Sequence, residues 1–124
     1  MKSIFISFCS FIVTLCLAIS CFAQAFIPVF EDIPLMENLK HIEDDDVVFD
    51  NEEASYREAH LIADKKTNYK NIIRFYKKTL PQLGWTSSSE SKSNILFERE
   101  NGILEIRQIN LKPLEISISL KNRS

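Results

Sequence analysis

The sequence predicts an α+β fold: a mostly antiparallel sheet of about four or five strands with one principal helix packed on one face. Three observations carry that reading. Leu114, Ile116, Ile118 and Leu120 alternate with Glu115, Ser117, Ser119 and Lys121, the period-two pattern of a half-buried strand. Asn101-Gly102 separates two strand-like runs, Ile95–Glu100 and Ile103–Ile109, as in a hairpin. Tyr69, Ile72, Ile73, Tyr76 and Leu80 fall at i, i+3, i+4, i+7 and i+11, one buried stripe of a helix over Thr67–Leu80.

The chain opens as an export signal. Met1-Lys2-Ser3 places one positive charge at the N-terminus, and no charge follows from Ile4 to Phe22. Ala23-Gln24-Ala25 then offers small residues on either side of a polar one, the form a signal peptidase accepts. Residues 1–25 therefore read as a signal peptide, with the exported chain starting at Phe26 in the periplasm or outside the cell. Two alternatives stand beside this reading. The apolar stretch is long enough to remain as a membrane anchor facing the periplasm. Ala18-Ile19-Ser20-Cys21 is a loose lipobox in which Cys21 would be acylated, although the usual leucine sits one place early at Leu17.

All three cysteines, Cys9, Cys16 and Cys21, lie in the leader. The exported domain then has no disulfide, no thiolate nucleophile and no cysteine-ligated zinc. About 99 residues remain, enough for one domain with a modest core. They carry 14 basic and 17 acidic groups, a net charge of −3. Weak acidity and export both argue against nucleic acid as a partner.

Residues 26–46 read as an extended arm containing Pro28 and Pro34, followed by an acidic loop over His41–Asp46. Residues 47–124 read as the α+β domain, opening with a short strand at Val47-Val48-Phe49. Asn51–Ala63 has a helix-like composition, with Asp50 and Glu53 spaced as a capping box, yet Arg57–Ala63 also reads as a strand; periodicity does not decide between them. In the helix, Thr67 or Asn68 can cap the start. Pro81 disfavours helical geometry at Leu80, so a kink or short turn is expected there. Gly84 fits the left-handed position that ends a helix, with Trp85 folding back onto the last turn. Thr86–Asn94 is serine-rich, a strand edge or loop.

A two-residue Asn101-Gly102 turn would set Phe97 opposite Ile106, Arg99 opposite Leu104 and Glu98 opposite Glu105, with Arg107 diagonal to Glu98. Ile95, Phe97, Leu104 and Ile106 then face the core.

The run Phe75-Tyr76-Lys77-Lys78-Thr79-Leu80-Pro81-Gln82-Leu83-Gly84-Trp85, with the hairpin after it and Val47-Val48-Phe49-Asp50 before it, resembles an uncharacterised group of small exported or lipid-anchored bacterial proteins. The resemblance spans roughly Val47 to Leu120. It implies strands, one helix and an antiparallel meander, which favours strand over Ser55–Ala63, and it carries no activity. The glycine often found in that group where Glu53 or Ala54 stands is missing here.

Candidate chemistry is sparse. No G-x-S-x-G, phosphate loop or thiol is present in the exported chain, and no cofactor is implied. Lys70, Arg74, Lys77 and Lys78, joined by Lys65 and Lys66, form the most concentrated feature. It reads either as a solvated helix face or as a contact for an envelope protein or an anionic membrane surface. The expectation is a non-catalytic envelope module whose basic residues project from an exposed surface with no deep pocket behind them. The competing reading is a small periplasmic enzyme or metal-binding protein that uses His60, or His41 with Glu43-Asp44-Asp45-Asp46.

Overall fold

The computed structural model describes residues 24–123. The signal peptide expected over residues 1–25 and the lipidation site at Cys21 therefore lie outside the described residues, apart from Gln24 and Ala25. The elements run β1 (Leu39–Asp50), β2 (Ala54–Ala63), α1 (Tyr69–Thr79), a 3-10 turn (Leu80–Leu83), β3 (Thr86–Glu90), β4 (Asn94–Arg99), β5 (Gly102–Leu111) and β6 (Leu114–Arg123). The six strands form one antiparallel sheet in the order β1-β2-β6-β5-β4-β3. The molecule is thus dominated by its sheet, with more strands than the four or five expected. The serine-rich run, read as a strand edge or loop, supplies an edge strand over Thr86–Glu90, which is exposed on all five residues and so needs no apolar pattern.

One face of the sheet gathers Ala59, Leu61, Ile95, Phe97, Leu104, Ile106, Ile116, Ile118 and Leu120 into a buried cluster shared with Ile72, Ile73, Tyr76 and Leu80. The Pro-containing arm joins it. Phe26 bridges Pro34, and Ile27 and Ile33 are fully buried, each removal from water contributing ~1.5–3 kcal/mol. The Tyr76 hydroxyl donates to the Pro34 carbonyl at 2.8 Å, so the arm also satisfies the buried polar tip of the helix stripe.

The helix ends follow their sequence signals. Asn68 caps the start by accepting from the Asn71 amide at 2.8 Å. A tighter turn over Leu80–Leu83 holds Pro81 near its start, Gly84 closes it at φ 93°, and the Trp85 amide returns to the Leu80 carbonyl. Asn51–Ala63 resolves as strand from Ala54 onward.

Two expectations are corrected. The acidic run is not a loop before the sheet but part of β1. Pairing passes from Ile42↔His60 to Val47↔Glu58, so Glu43–Asp46 lie opposite Ala59 alone. A bulge of this size at an edge strand bends charged residues outward, where they discourage pairing by another chain. The β4–β5 turn also lies one residue earlier than expected. Phe97 pairs with Leu104, Glu98 with Ile103 and Arg99 with Gly102, leaving Glu100 and Asn101 as the loop, with Glu100 at φ 54°. The shift keeps every core residue on its face and separates Glu98 from Glu105, which removes a like-charge pair. Gly102 is therefore the first residue of β5, and its role is steric. A Cβ there would stand 2.6 Å from Asn122 Oδ1 and 3.5 Å from the Trp85 ring.

Candidate functional site

Lys70, Arg74 and Lys77 recur at i, i+4 and i+7, which places them along one wall of α1. Facing them is the turn between β3 and β4, held by the Ser91 hydroxyl on Asn94 and by the Ser91 amide on the Asn94 carbonyl at 2.8 Å. The two walls enclose a groove of about 960 Å³. Its lining includes Asn68, Tyr69 and Ile73 on the helix, and Glu90, Lys92 and Asn94 on the hairpin. Basic residues thus flank an open, concave groove.

The charges in the groove are unequally committed. Lys77 Nζ meets Glu90 Oε1 at 2.5 Å and ties the two walls together. Among the described residues, Lys70, Arg74 and Lys92 have no carboxylate partner. The Tyr69 hydroxyl is buried with no hydrogen-bond partner. Burial, with Glu90 and Glu105 nearby, pushes its pKa up to about 12, so it is a donor across the physiological range. Lys78 is exposed but does not line the groove, and neither do Lys65 and Lys66. Lys92 was not legible as a site residue: it stands alone in a serine-rich turn, and only the fold brings it opposite α1.

The two histidines lie elsewhere. His41 Nε2 meets Asp46 Oδ1 at 2.7 Å, with the histidine side chain only 8% exposed. His60 Nε2 meets Glu58 Oε2 at 2.7 Å, and its Nδ1 is 3.7 Å from Asp45 Oδ2. The Tyr56 hydroxyl donates to Glu58 at 2.5 Å. Burial alone would raise the Glu58 carboxyl; hydrogen bonds from Tyr56 and His60 and the charge of Arg107 outweigh it and hold the carboxyl below its usual range. His60 is thus hydrogen-bonded through Nε2 to Glu58, with the exposed Asp45 carboxylate near its Nδ1. Among the described residues no group of three or more His, Cys, Asp or Glu is arranged to hold a metal ion.

A second, smaller cavity of about 220 Å³ lies between the arm and the sheet, lined by Asp32, Arg57 and Arg99 among others. Its cations are occupied. Arg99 grips Asp32 at 2.7 Å and also donates to the Leu83 carbonyl, while Arg57 donates to the Val29 carbonyl.

No family model, curated protein or solved structure matches this chain. No helix among the described residues is long and apolar enough to cross a membrane.

Proposed function

We propose that this chain is a non-catalytic binding module of the bacterial cell envelope, exported by its leader, which engages an anionic partner through the basic groove between α1 and the β3–β4 turn. One observation carries the reading: Lys70, Arg74 and Lys92 converge on a concave surface without internal counter-charges among the described residues. Unpaired like charges repel one another and favour an approaching anion. In this reading the helix packs across the core face of the sheet and presents one flank of its stripe, edged by Tyr69 and Ile73, as the groove wall. The enzyme alternative has less support, because His60 is held between two carboxylates and His41 is spent on Asp46. The resemblance to small exported or lipid-anchored proteins is consistent with an envelope location.

The test is salt-dependent binding to anionic probes, both polyglutamate and vesicles containing phosphatidylglycerol. At least one probe should bind at low salt, weaken as ionic strength rises, and weaken further when Lys70 and Arg74 become Glu. Failure to bind either probe, or binding indifferent to those substitutions, returns the helix face to simple solvation.

A further inference from the structure

The shape of the groove says more about its occupant than its charge does. Lys70 and Arg74 are four residues apart, so their attachment points are separated by about 6 Å along the helix axis. Residues that share one face of an extended peptide are separated by about 6.6–6.8 Å. Two acidic side chains at alternate positions therefore match the two free cations of the helix wall. Lys77 is the third cation of the row, and Glu90 already sits against it at 2.5 Å. That internal pair shows how a carboxylate held by extended backbone seats on this wall, since Glu90 is the last residue of β3.

The remaining features fit the same occupant. Tyr69 and Ile73 line the same groove beside the basic residues. The Tyr69 hydroxyl is buried beneath the groove without an internal acceptor. Lys92 approaches from the opposite wall and would close over the bound segment. β3 is the terminal strand of the sheet and has a neighbour on one side only, so extended backbone is accommodated beside it. A flat bilayer meets convex surfaces more readily than a groove floored by Tyr69 and Ile73.

We infer that the groove between α1 and the β3–β4 turn takes an extended acidic peptide segment of a partner protein, with carboxylates at two alternate positions on Lys70 and Arg74. This rests on the anionic-partner reading above and narrows it.

The experiment uses the chain as recovered from the envelope and two fluorescein-labelled pentapeptides of identical composition. One has the order Val-Glu-Val-Glu-Val, the other Val-Val-Glu-Glu-Val. Anisotropy should show the alternating peptide binding about tenfold more tightly. Lys70→Gln and Arg74→Gln should each weaken it about tenfold, as expected for a lost charge-assisted hydrogen bond. Lys78→Gln, outside the groove, should leave it unchanged. Thermal melts of each variant separate lost affinity from lost fold. Equal affinity for the two peptides overturns the alternating-acid inference, as does binding only to phosphatidylglycerol vesicles; both outcomes leave the anionic-partner reading standing. Binding to neither peptide nor vesicle overturns both.

Discussion

The two ends of the sheet carry opposite charge and treat it in opposite ways. At the β1 end, acidic residues are bulged outward, and two of them are met by histidines: Asp46 by His41 and Asp45 by His60. At the β3 end, α1 and the hairpin turn bring basic residues together, and only Lys77 is paired. At the acidic end the fold thus sets histidine rings against two of the carboxylates, whereas at the basic end Lys70, Arg74 and Lys92 have no carboxylate partner among the described residues. A cluster of charge in a sequence is ambiguous between these two uses. What separates them is whether the fold returns a partner to it.

Substitutions at the two ends should therefore fail differently. The largest effect is expected in the groove. Reversing Lys70 and Arg74 to Glu together should cost about 100-fold or more in affinity for an acidic probe, ~2.7 kcal/mol, measured by calorimetry. The same variant should unfold in urea within about 0.5 kcal/mol of the unmodified chain, because exposed, unpaired charges contribute little to folding. If stability falls as far as affinity, the two ends do not differ in kind.

Next in size is the acidic end. Asp46→Ala strands the nearly buried His41 ring and should destabilise the domain by ~1–3 kcal/mol in urea unfolding, with no change in probe binding. The sheet between the ends supplies a third measure. Gly102→Ala should cost about 1 kcal/mol, and Gly102→Val more, because the added carbon meets Asn122 and the Arg99 carbonyl. Combining Gly102→Ala with Asn122→Ser should recover part of the loss. An unrelieved loss would mean that backbone conformation, rather than crowding, demands glycine.

The mildest contrast is in pH. The Glu58 carboxyl is held below its usual value in the folded chain, so its contribution is present above about pH 4.3 and fades as pH falls from there toward the folded value. Tyr69 behaves in the opposite sense. Its folded pKa lies at about 12 against 10 unfolded, so the unfolded chain loses its proton first and stability declines as pH rises from 10 to 12. Glu58→Gln should flatten the acid limb of a stability–pH curve and Tyr69→Phe the alkaline limb. A curve unchanged by either substitution would remove the electrostatic distinction between the ends.

Much of the frame was legible because local rules and tertiary packing agree in it. The Tyr69–Leu80 stripe, the Pro81 break, the Gly84–Trp85 closure and the Leu114–Leu120 alternation each encode their structure within a few residues. Reading failed where the determinant lies far along the chain. The dipeptide Asn101-Gly102 suggested a turn centred on itself, but Gly102 answers to Asn122 and Trp85, and the turn moved to Glu100-Asn101. The acidic run looked like a loop because no local signal shows that it continues an edge strand through a bulge, with Asp46 bonded to His41. The candidate site divided in the same way. Lys70, Arg74 and Lys77 follow from helix periodicity, Lys78 falls outside the groove, and Lys92 and the unpartnered Tyr69 hydroxyl emerge only from the fold.

Arg99 has a consequence for how the domain comes apart. Its guanidinium grips Asp32, 67 residues away, donates to the Leu83 carbonyl and lies 4.2 Å from the Trp85 ring centroid. One side chain thereby fastens the arm, the end of the helical segment and the β4 hairpin to one another. Arms of this kind ordinarily fray first, exchanging their amide hydrogens long before the core opens. Here the amides of Ile27 and Leu35 should exchange at rates close to those of Phe97 and Leu104. Arg99→Lys, which keeps the charge but not the planar fork, should release the arm amides alone and turn one opening event into two.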